Sequence, residues 1–435
     1  MKDQETNKEL EIIEEQLDVQ AQEEAEISDS LFKNKNFIAL FFAALFSAPG
    51  YYVYLIGVEW LMLSIDDNRF FFGMLFMAAS IPRLLLLTVG GIVADRFNKR
   101  TIVFISDVTR ALLIVILIVF IITDSVTAYH LIALAAFFGI SDAFSYPAIS
   151  SLTPMILKDD QLQRGNSLIQ MTAQISPILG PAIGGTLIYA LGFVGVFTVS
   201  TVMLLLSGVA VLFIRIKNVR EDKEKASALD DLKEGFRYMK GNQLIVTIVF
   251  LAFVVNFFFA GPLSIGIPIL VKDIYQSEVL GLAFIQTSMG IGALIGAFTL
   301  AIFPIKRPGI SIVLFLTVLG VLYTFTGLSP YLVLTAIIVG VMGMFTQFIN
   351  IPILTLMQQI TDKKMLGRMM SFFMTVSTGL VPVSYMVTSI LIGANINIQH
   401  IMLVSGIIIT IFAVFQFRNK KLLQISNVKV QEEGA

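Results

Sequence analysis

An all-α membrane protein, with twelve spans in two pseudo-symmetric six-helix bundles and both termini cytoplasmic, is what this sequence predicts. Three observations carry that expectation. The 435 residues are 56% hydrophobic and only 14% charged, with a mean hydropathy of +0.83, whereas soluble domains run nearer a quarter charged. Apolar runs of about 20 residues or more, the length that crosses a bilayer, succeed one another along the chain. All but four of the 30 Lys and Arg lie in the tails or in alternate loops, and that asymmetry sets the orientation.

In chain order, residues 1–35 form an acidic tail (Glu9, Glu11, Glu14, Glu15, Glu23, Glu24, Glu26) of disordered composition. An acidic start is not the basic-then-apolar pattern of a cleaved signal peptide. Twelve spans follow, at 37–64, 70–94, 101–123, 129–154, 166–190, 192–214, 243–271, 279–303, 310–328, 331–357, 367–393 and 399–417. The polar linker 215–241 divides them into an N-terminal bundle, 36–214, and a C-terminal bundle, 242–418, before a cytoplasmic tail, 419–435. Arg69 and Lys272 fall on the opposite side, and Arg83 and Arg110 fall inside spans.

The two halves echo each other. Tyr146-Pro147 in span four recurs as Ile351-Pro352 in span ten, and Pro177 in span five is matched by Pro382 in span eleven. Arg164-Gly165-Asn166-Ser167 corresponds to the segment Gly367 to Ser371. Composition narrows the chemistry. A net charge of -1 points away from nucleic acid, and the absence of cysteine removes disulfides and thiolate ligands. With two histidines, His130 and His400, neither a metal centre nor a cofactor is expected, and no cluster of nucleophile and base suggests an enzyme.

The loop between spans two and three, Gly90-Gly91-Ile92-Val93-Ala94-Asp95-Arg96-Phe97-Asn98-Lys99-Arg100, is short and charged. It forces antiparallel neighbours, and its glycines allow close helix approach. It resembles the signature G-x-x-x-D-R-x-G-R-R of the major facilitator superfamily, with Gly91, Asp95, Arg96, Lys99 and Arg100 on the marked positions and Asn98 replacing a glycine. Asn is the best substitute where a left-handed backbone is needed. The resemblance implies the twelve-helix facilitator fold, alternating access about a midplane site, and a latch in which Asp95 docks near Leu366 and Gly367 to hold the outward-facing state. The counterpart in the second half, Phe303 to Arg307, has no acid.

Span five carries Gly180-Pro181-Ala182-Ile183-Gly184-Gly185, which matches the G-P-x-x-G-G element of the exporter branches. Proline and glycine there permit bending within a bundle. The run from Tyr146-Pro147-Ala148 through Thr153-Pro154 to Ser167 is similar to the branch that holds macrolide-efflux and siderophore-export proteins.

Ionisable groups inside a bilayer need a partner or a purpose, at about 2.5–3.5 kcal/mol each on insertion scales. Arg83 and Asp142 are expected near the midplane and Glu59 in the outer third of span one. Asp107 and Arg110, three apart on one helix face, read as a mainly structural pair. Arg83 is expected beside Asp142 or Glu59, where a carboxylate that releases its arginine on protonation would be a proton-coupled switch. Asp142 is the first choice for the proton site and Glu59 the second. From the family's architecture, in which the first and fourth helices of each half line the cavity, Tyr51, Tyr52, Tyr54, Tyr146, Asn256, Gln347 and Asn350 are the expected lining. Such an aromatic, sparsely polar cavity suits an amphipathic solute.

The function expected is therefore a proton-coupled exporter, or antiporter, of small amphipathic compounds such as drugs or siderophore-like molecules. It would work as a monomer in the inner membrane of a bacterium, with sodium as the alternative coupling ion. Import or facilitated passage of a nutrient is the alternative, and a channel is disfavoured by the six-plus-six repeat.

Overall fold

The computed structural model describes residues 31–215, 228–303, 305–362 and 365–424. The acidic segment 1–30, linker residues 216–227 and the last residues, 425–435, lie outside the described residues. Everything described is helix or connection, with no strand. The helices are α1 (Lys35–Ile65), α2 (Arg69–Arg96), α3 (Lys99–Ile122), α4 (Ala128–Ile156), α5 (Asp159–Leu212), α6 (Ala228–Gly241), α7 (Gln243–Ile274), α8 (Val279–Ile302), α9 (Pro308–Leu328), α10 (Leu332–Ile360), α11 (Leu366–Gly393), α12 (Ile398–Gln416) and α13 (Lys420–Leu423). Eleven of them are long and apolar enough to cross a membrane.

One of the eleven is long enough for two crossings. At 54 residues α5 would run about 80 Å if straight, more than twice the hydrocarbon core of about 30 Å. It bends at Gly192, whose φ of 66° and ψ of -170° break the helix at a conformation that glycine adopts without steric cost. Before the bend, Gly180 lies against Tyr52 and Gly184 against Ile56, so this arm runs with α1. After it, Phe197 meets Gly57 and the Ser200 hydroxyl donates to the Gly50 carbonyl at 2.7 Å, so the second arm runs back. The two spans expected at 166–190 and 192–214 are these two arms, the first starting at Asp159.

Side chains at the helix starts explain where several helices begin. Asn34, Asn68, Asn98, Thr127, Asn242 and Asn397 each accept a hydrogen bond from a first-turn N–H of α1, α2, α3, α4, α7 and α12 respectively, satisfying groups the helix itself leaves unpaired. Asn98 corrects an expectation. Its φ of -65° and ψ of 113° are extended, not left-handed, and it serves the turn by capping α3 through the Arg100 N–H at 3.0 Å.

Glycines set the closest packing within each half. A Cβ on Gly90 would stand 2.0 Å from the Ala143 carbonyl oxygen, and one on Gly139 would stand 2.0 Å from that of Ala79, locking α2 to α4. In the second half, Gly292 sits against the Gly340 carbonyl, Gly296 against that of Met344 and Gly343 against that of Met289, locking α8 to α10. Gly91 does not share this role, since its Cβ position is open.

α7 is irregular, with π turns at Asn256–Ala260 and Leu270–Ile274. The cause at the first is visible. The Ser384 hydroxyl of α11 accepts from the Gly261 N–H at 2.8 Å and donates to the Phe257 carbonyl, standing between two groups that a regular helix would pair. An inserted side chain is a recognised cause of such a break. α11 is itself interrupted at Leu380, two residues before Pro382.

The halves meet at the end of the bundle remote from the chain termini. There Arg69 forks onto Asp273, Nε to Oδ2 at 2.9 Å and Nη2 to Oδ1 at 2.6 Å. Lys272 lies 5.1 Å from the centre of the Trp60 ring, and the Ser389 hydroxyl donates to the Phe70 carbonyl at 2.9 Å, packed onto Gly73. Nearer the middle, Gly185 touches Ala283 and Gly290 touches Ile178, so the glycine-rich element of α5 forms part of the seam with α8. This end is closed.

Candidate functional site

Four of the five charges singled out within the spans, Arg83, Asp107, Arg110 and Asp142, assemble into one cluster. Asp142 of α4 is held by two guanidiniums, Arg83 Nε on Oδ2 at 2.7 Å and Arg110 Nη2 on Oδ1 at 2.8 Å. Arg110 also reaches Asp107 Oδ1, at 3.5 Å. Asp107, fully buried, accepts from the Ser207 hydroxyl at 2.6 Å and the Ser47 hydroxyl at 3.3 Å. Two acids and two bases sum to zero, which is how buried charge is tolerated in a span. The expected i,i+3 pairing of Asp107 and Arg110 is present, and the shorter bond from Arg110 to Asp142 joins that pair to the central site.

Arg83 faces the interior. At 100° per residue, it shares a side of α2 with Phe76, which meets Tyr385 of α11 at 5.1 Å between rings, with Ala79, which abuts Gly139, and with Gly90, which abuts Ala143. The exposed stripe Ile81, Leu85 and Ile92 lies on the other side of the helix. Its neighbour Leu84 approaches Gly379 of α11. The Arg83 guanidinium lies 5.8 Å from the centre of the Tyr146 ring. Tyr51, Tyr52 and Tyr385 are within electrostatic reach of the same cluster. The Arg83 and Asp142 side chains are nonetheless 49% and 34% exposed, so the space beside them, between the halves, is open.

Glu59 sits apart from Arg83. It is 3% exposed, near the closed end of α1, and its Oε2 accepts from Gln286 Nε2 of α8 at 2.9 Å. This contact crosses from one half to the other. Of the two acids offered to Arg83 by the sequence, the structure pairs it with Asp142.

The expected lining residues divide. Tyr146 is exposed beside Arg83, and Tyr51 and Tyr52 are half-buried near the cluster. Tyr54 is not available, since it is buried and stacked on Phe138 at 4.1 Å. Asn256 gives its amide to the Ala252 carbonyl of its own helix at 2.9 Å. On α10, Asn350 is exposed and Gln347 packs its Cβ on Gly296. Sequence reasoning missed Tyr385 of α11, whose ring meets Phe76 of α2 at 5.1 Å and which lies within electrostatic reach of Arg83 and Glu59. A tyrosine three residues after Pro382 was the available signal.

At the terminal end, Asp95 and Arg96 are exposed on the last turn of α2, and Arg100 donates to the Ile214 carbonyl at 3.0 Å, closing the end of α5. Nothing lies within 4 Å of a Cβ placed on Gly367. What holds the start of α11 here is the linker helix α6. Gly235 packs on Phe372 and the Arg368 carbonyl, Glu234 pairs with Arg368, and the Tyr238 hydroxyl accepts from the Asp362 N–H at 3.0 Å.

The comparisons agree with this architecture. The chain is 23% identical over 293 residues to the enterobactin exporter EntS of Escherichia coli O1:K1 / APEC, covering 65% of this chain and 67% of that one. It is 20% identical over 329 residues to macrolide efflux protein A of Streptococcus pyogenes, covering 74% and 81%. Among solved structures, the nucleoside transporter NupG superposes with a TM-score of 0.67 at 14% identity, covering 90% of this chain and 99% of that one. At that identity the likeness speaks for the fold alone. The family model of the Major Facilitator Superfamily matches residues 40–383, and the chain belongs to that superfamily as a multi-pass membrane transporter.

Proposed function

We propose that this protein is an exporter of small amphipathic compounds from a bacterial cell, driven by proton entry through the inner membrane. The observation that carries the reading is the charge cluster of Arg83, Arg110, Asp107 and Asp142, open between two halves that touch at one end. The halves are taken as two six-helix bundles, 36–214 and 242–418, and the matching glycine-on-carbonyl seams of α2 with α4 and α8 with α10 support that division. The loop charges support cytoplasmic termini, so the closed end faces outward and the site opens to the cytoplasm. Export is favoured over import by the Gly180-Pro181 to Gly184-Gly185 element and by likeness to proteins named for efflux, although a nucleoside transporter shares the fold.

Transport proceeds by exchange of two arrangements about the cluster. The Arg69–Asp273 fork stabilises the arrangement seen here. Docking of the Gly91, Asp95, Arg96, Lys99 and Arg100 turn near Gly367 stabilises the other, and α6 must then share or yield the start of α11. Asp142, whose protonation would loosen Arg83, is the first candidate for the coupling proton, and Glu59, whose bond to Gln286 spans the seam, is the second. The chain works as a monomer, and sodium is the alternative ion. Efflux of dyes, antibiotics and siderophores from overexpressing cells, with and without a proton uncoupler, tests the reading. Uncoupler-insensitive accumulation would replace it with the importer alternative.

A further inference from the structure

Arg83 offers more than its ion pair uses. Its one ion pair among the described residues has its closest contact from Nε to Asp142, and neither terminal nitrogen of the guanidinium makes a hydrogen bond to a described residue. Those nitrogens sit on a half-exposed side chain turned toward the space between the halves, flanked by Tyr146 and near Tyr52 and Tyr385. A guanidinium presents its donors as a planar fork that fits a carboxylate in two parallel hydrogen bonds. Among the described residues no other basic side chain within the spans is open to this space. Arg110 is buried and committed to Asp142 and Asp107, and between Lys272 and Arg368 the second half has basic residues only in its loops, at Lys306, Arg307, Lys363 and Lys364. The accessible acid, Asp142, already meets two arginines and has little to offer a cationic solute.

We infer that the cargo of this site is an amphipathic anion, whose carboxylate or equivalent acidic group seats on the Arg83 fork while its apolar body lies among the tyrosines. The inference rests on the transporter reading above and narrows it to one sign of charge. An anion added to a neutral cluster moves outward with the help of an inside-negative potential. It also reverses the order of the two acids. A proton on Asp142 and an anion on Arg83 would favour each other's binding, so the counter-moving proton belongs on Glu59, which bonds Gln286 across the seam and makes no ion pair among the described residues.

The test uses the single tryptophan, Trp60, as energy donor in the full chain reconstituted in nanodiscs. The probes are dansylated undecanoate, its primary amide and the matched trimethylammonium compound. The expected result is carboxylate binding about tenfold tighter than amide, the increment of one charge-assisted contact, with ammonium weakest. The preference disappears in Arg83→Gln and survives, reduced, in Arg83→Lys. An ammonium probe that binds as well as the carboxylate in the wild-type chain overturns the inference with no variant needed. So does a carboxylate-to-amide ratio that Arg83→Gln leaves unchanged. Efflux of the amide probe from cells, without carboxylate selectivity, sinks the anion inference and leaves the exporter standing. Carboxylate selectivity with inward rather than outward transport sinks the exporter and leaves the anion site.

Discussion

Asp273→Asn is the perturbation most directly calculable from the structure. It keeps the shape of the side chain but removes its charge and one acceptor, so of the two ionic hydrogen bonds of 2.9 and 2.6 Å one is lost and the other weakens. A hydrogen bond to a charged group contributes about 1.5–3 kcal/mol when shielded, and an exposed ion pair about 0.2–1 kcal/mol. The Arg69 side chain is 14% exposed and that of Asp273 33%, so the loss lies between, at about 1–2 kcal/mol. Because the fork exists only while this end is closed, the loss shifts the closed-to-open ratio by about five- to thirtyfold. The chain has no cysteine, so Ser389→Cys provides a silent-background reporter. Ser389 is fully buried between Phe70 and Gly73, and it becomes reachable only when the seam parts. In intact cells, an impermeant maleimide should label Ser389→Cys faster by that factor once Asp273→Asn is added. An unchanged or slower rate would refute both the gate and the sidedness assigned to it.

Other outcomes follow from the same coordinates. Asp142→Asn strips Arg110 of its short partner, which costs about 3–5 kcal/mol for a fully buried pair and less here because Asp142 is a third exposed. Thermal unfolding in detergent should show that loss, and adding Arg83→Gln should cost less than the two single changes together. Ser384→Ala leaves the Gly261 N–H and Phe257 carbonyl unbridged, a loss of about 1–3 kcal/mol unless α7 regularises, which faster exchange of the Gly261 amide would rule out. Gly139→Ala drives a methyl against the Ala79 backbone and should lower stability by about 1–3 kcal/mol. Gly91→Ala meets open space in this arrangement, so it should leave stability within about 0.5 kcal/mol while lowering transport, if the turn closes on α11 in the other arrangement.

Much of the architecture was legible because a bilayer demands long apolar runs and punishes charge within them. The spans could be read to within a few residues, and Arg83, Arg110, Asp107, Asp142 and Glu59 stood out for the same reason. Pairing was less legible. Arg110 sits three residues from Asp107, so local spacing suggested a self-contained pair, while its better partner lies 32 positions away on α4. Helix adjacency offered Arg83 either Asp142 or Glu59, and Glu59 is instead reached by Gln286 of the other half. Contacts across the seam depend on how the two halves of the chain are set against each other, and no periodicity within one helix records that. Tyr54 shows the same limit at finer grain, since two residues from Tyr52 it turns onto Phe138 instead of toward the cluster. The linker helix was within reach, because Leu229, Leu232, Phe236 and Met239 follow helical spacing, although the segment 215–241 was read only as a polar linker.

Alternation between two ends is tested most directly by distances at both. Spin-label pairs at Asp67→Cys with Glu278→Cys, and at Phe97→Cys with Asp362→Cys, report the closed end and the terminal end in separate cysteine-free backgrounds. Introducing Asp273→Asn should lengthen the first distance and shorten the second in the same population. Two distances that grow together, or a first that grows while the second stays fixed, would contradict alternating access in this protein.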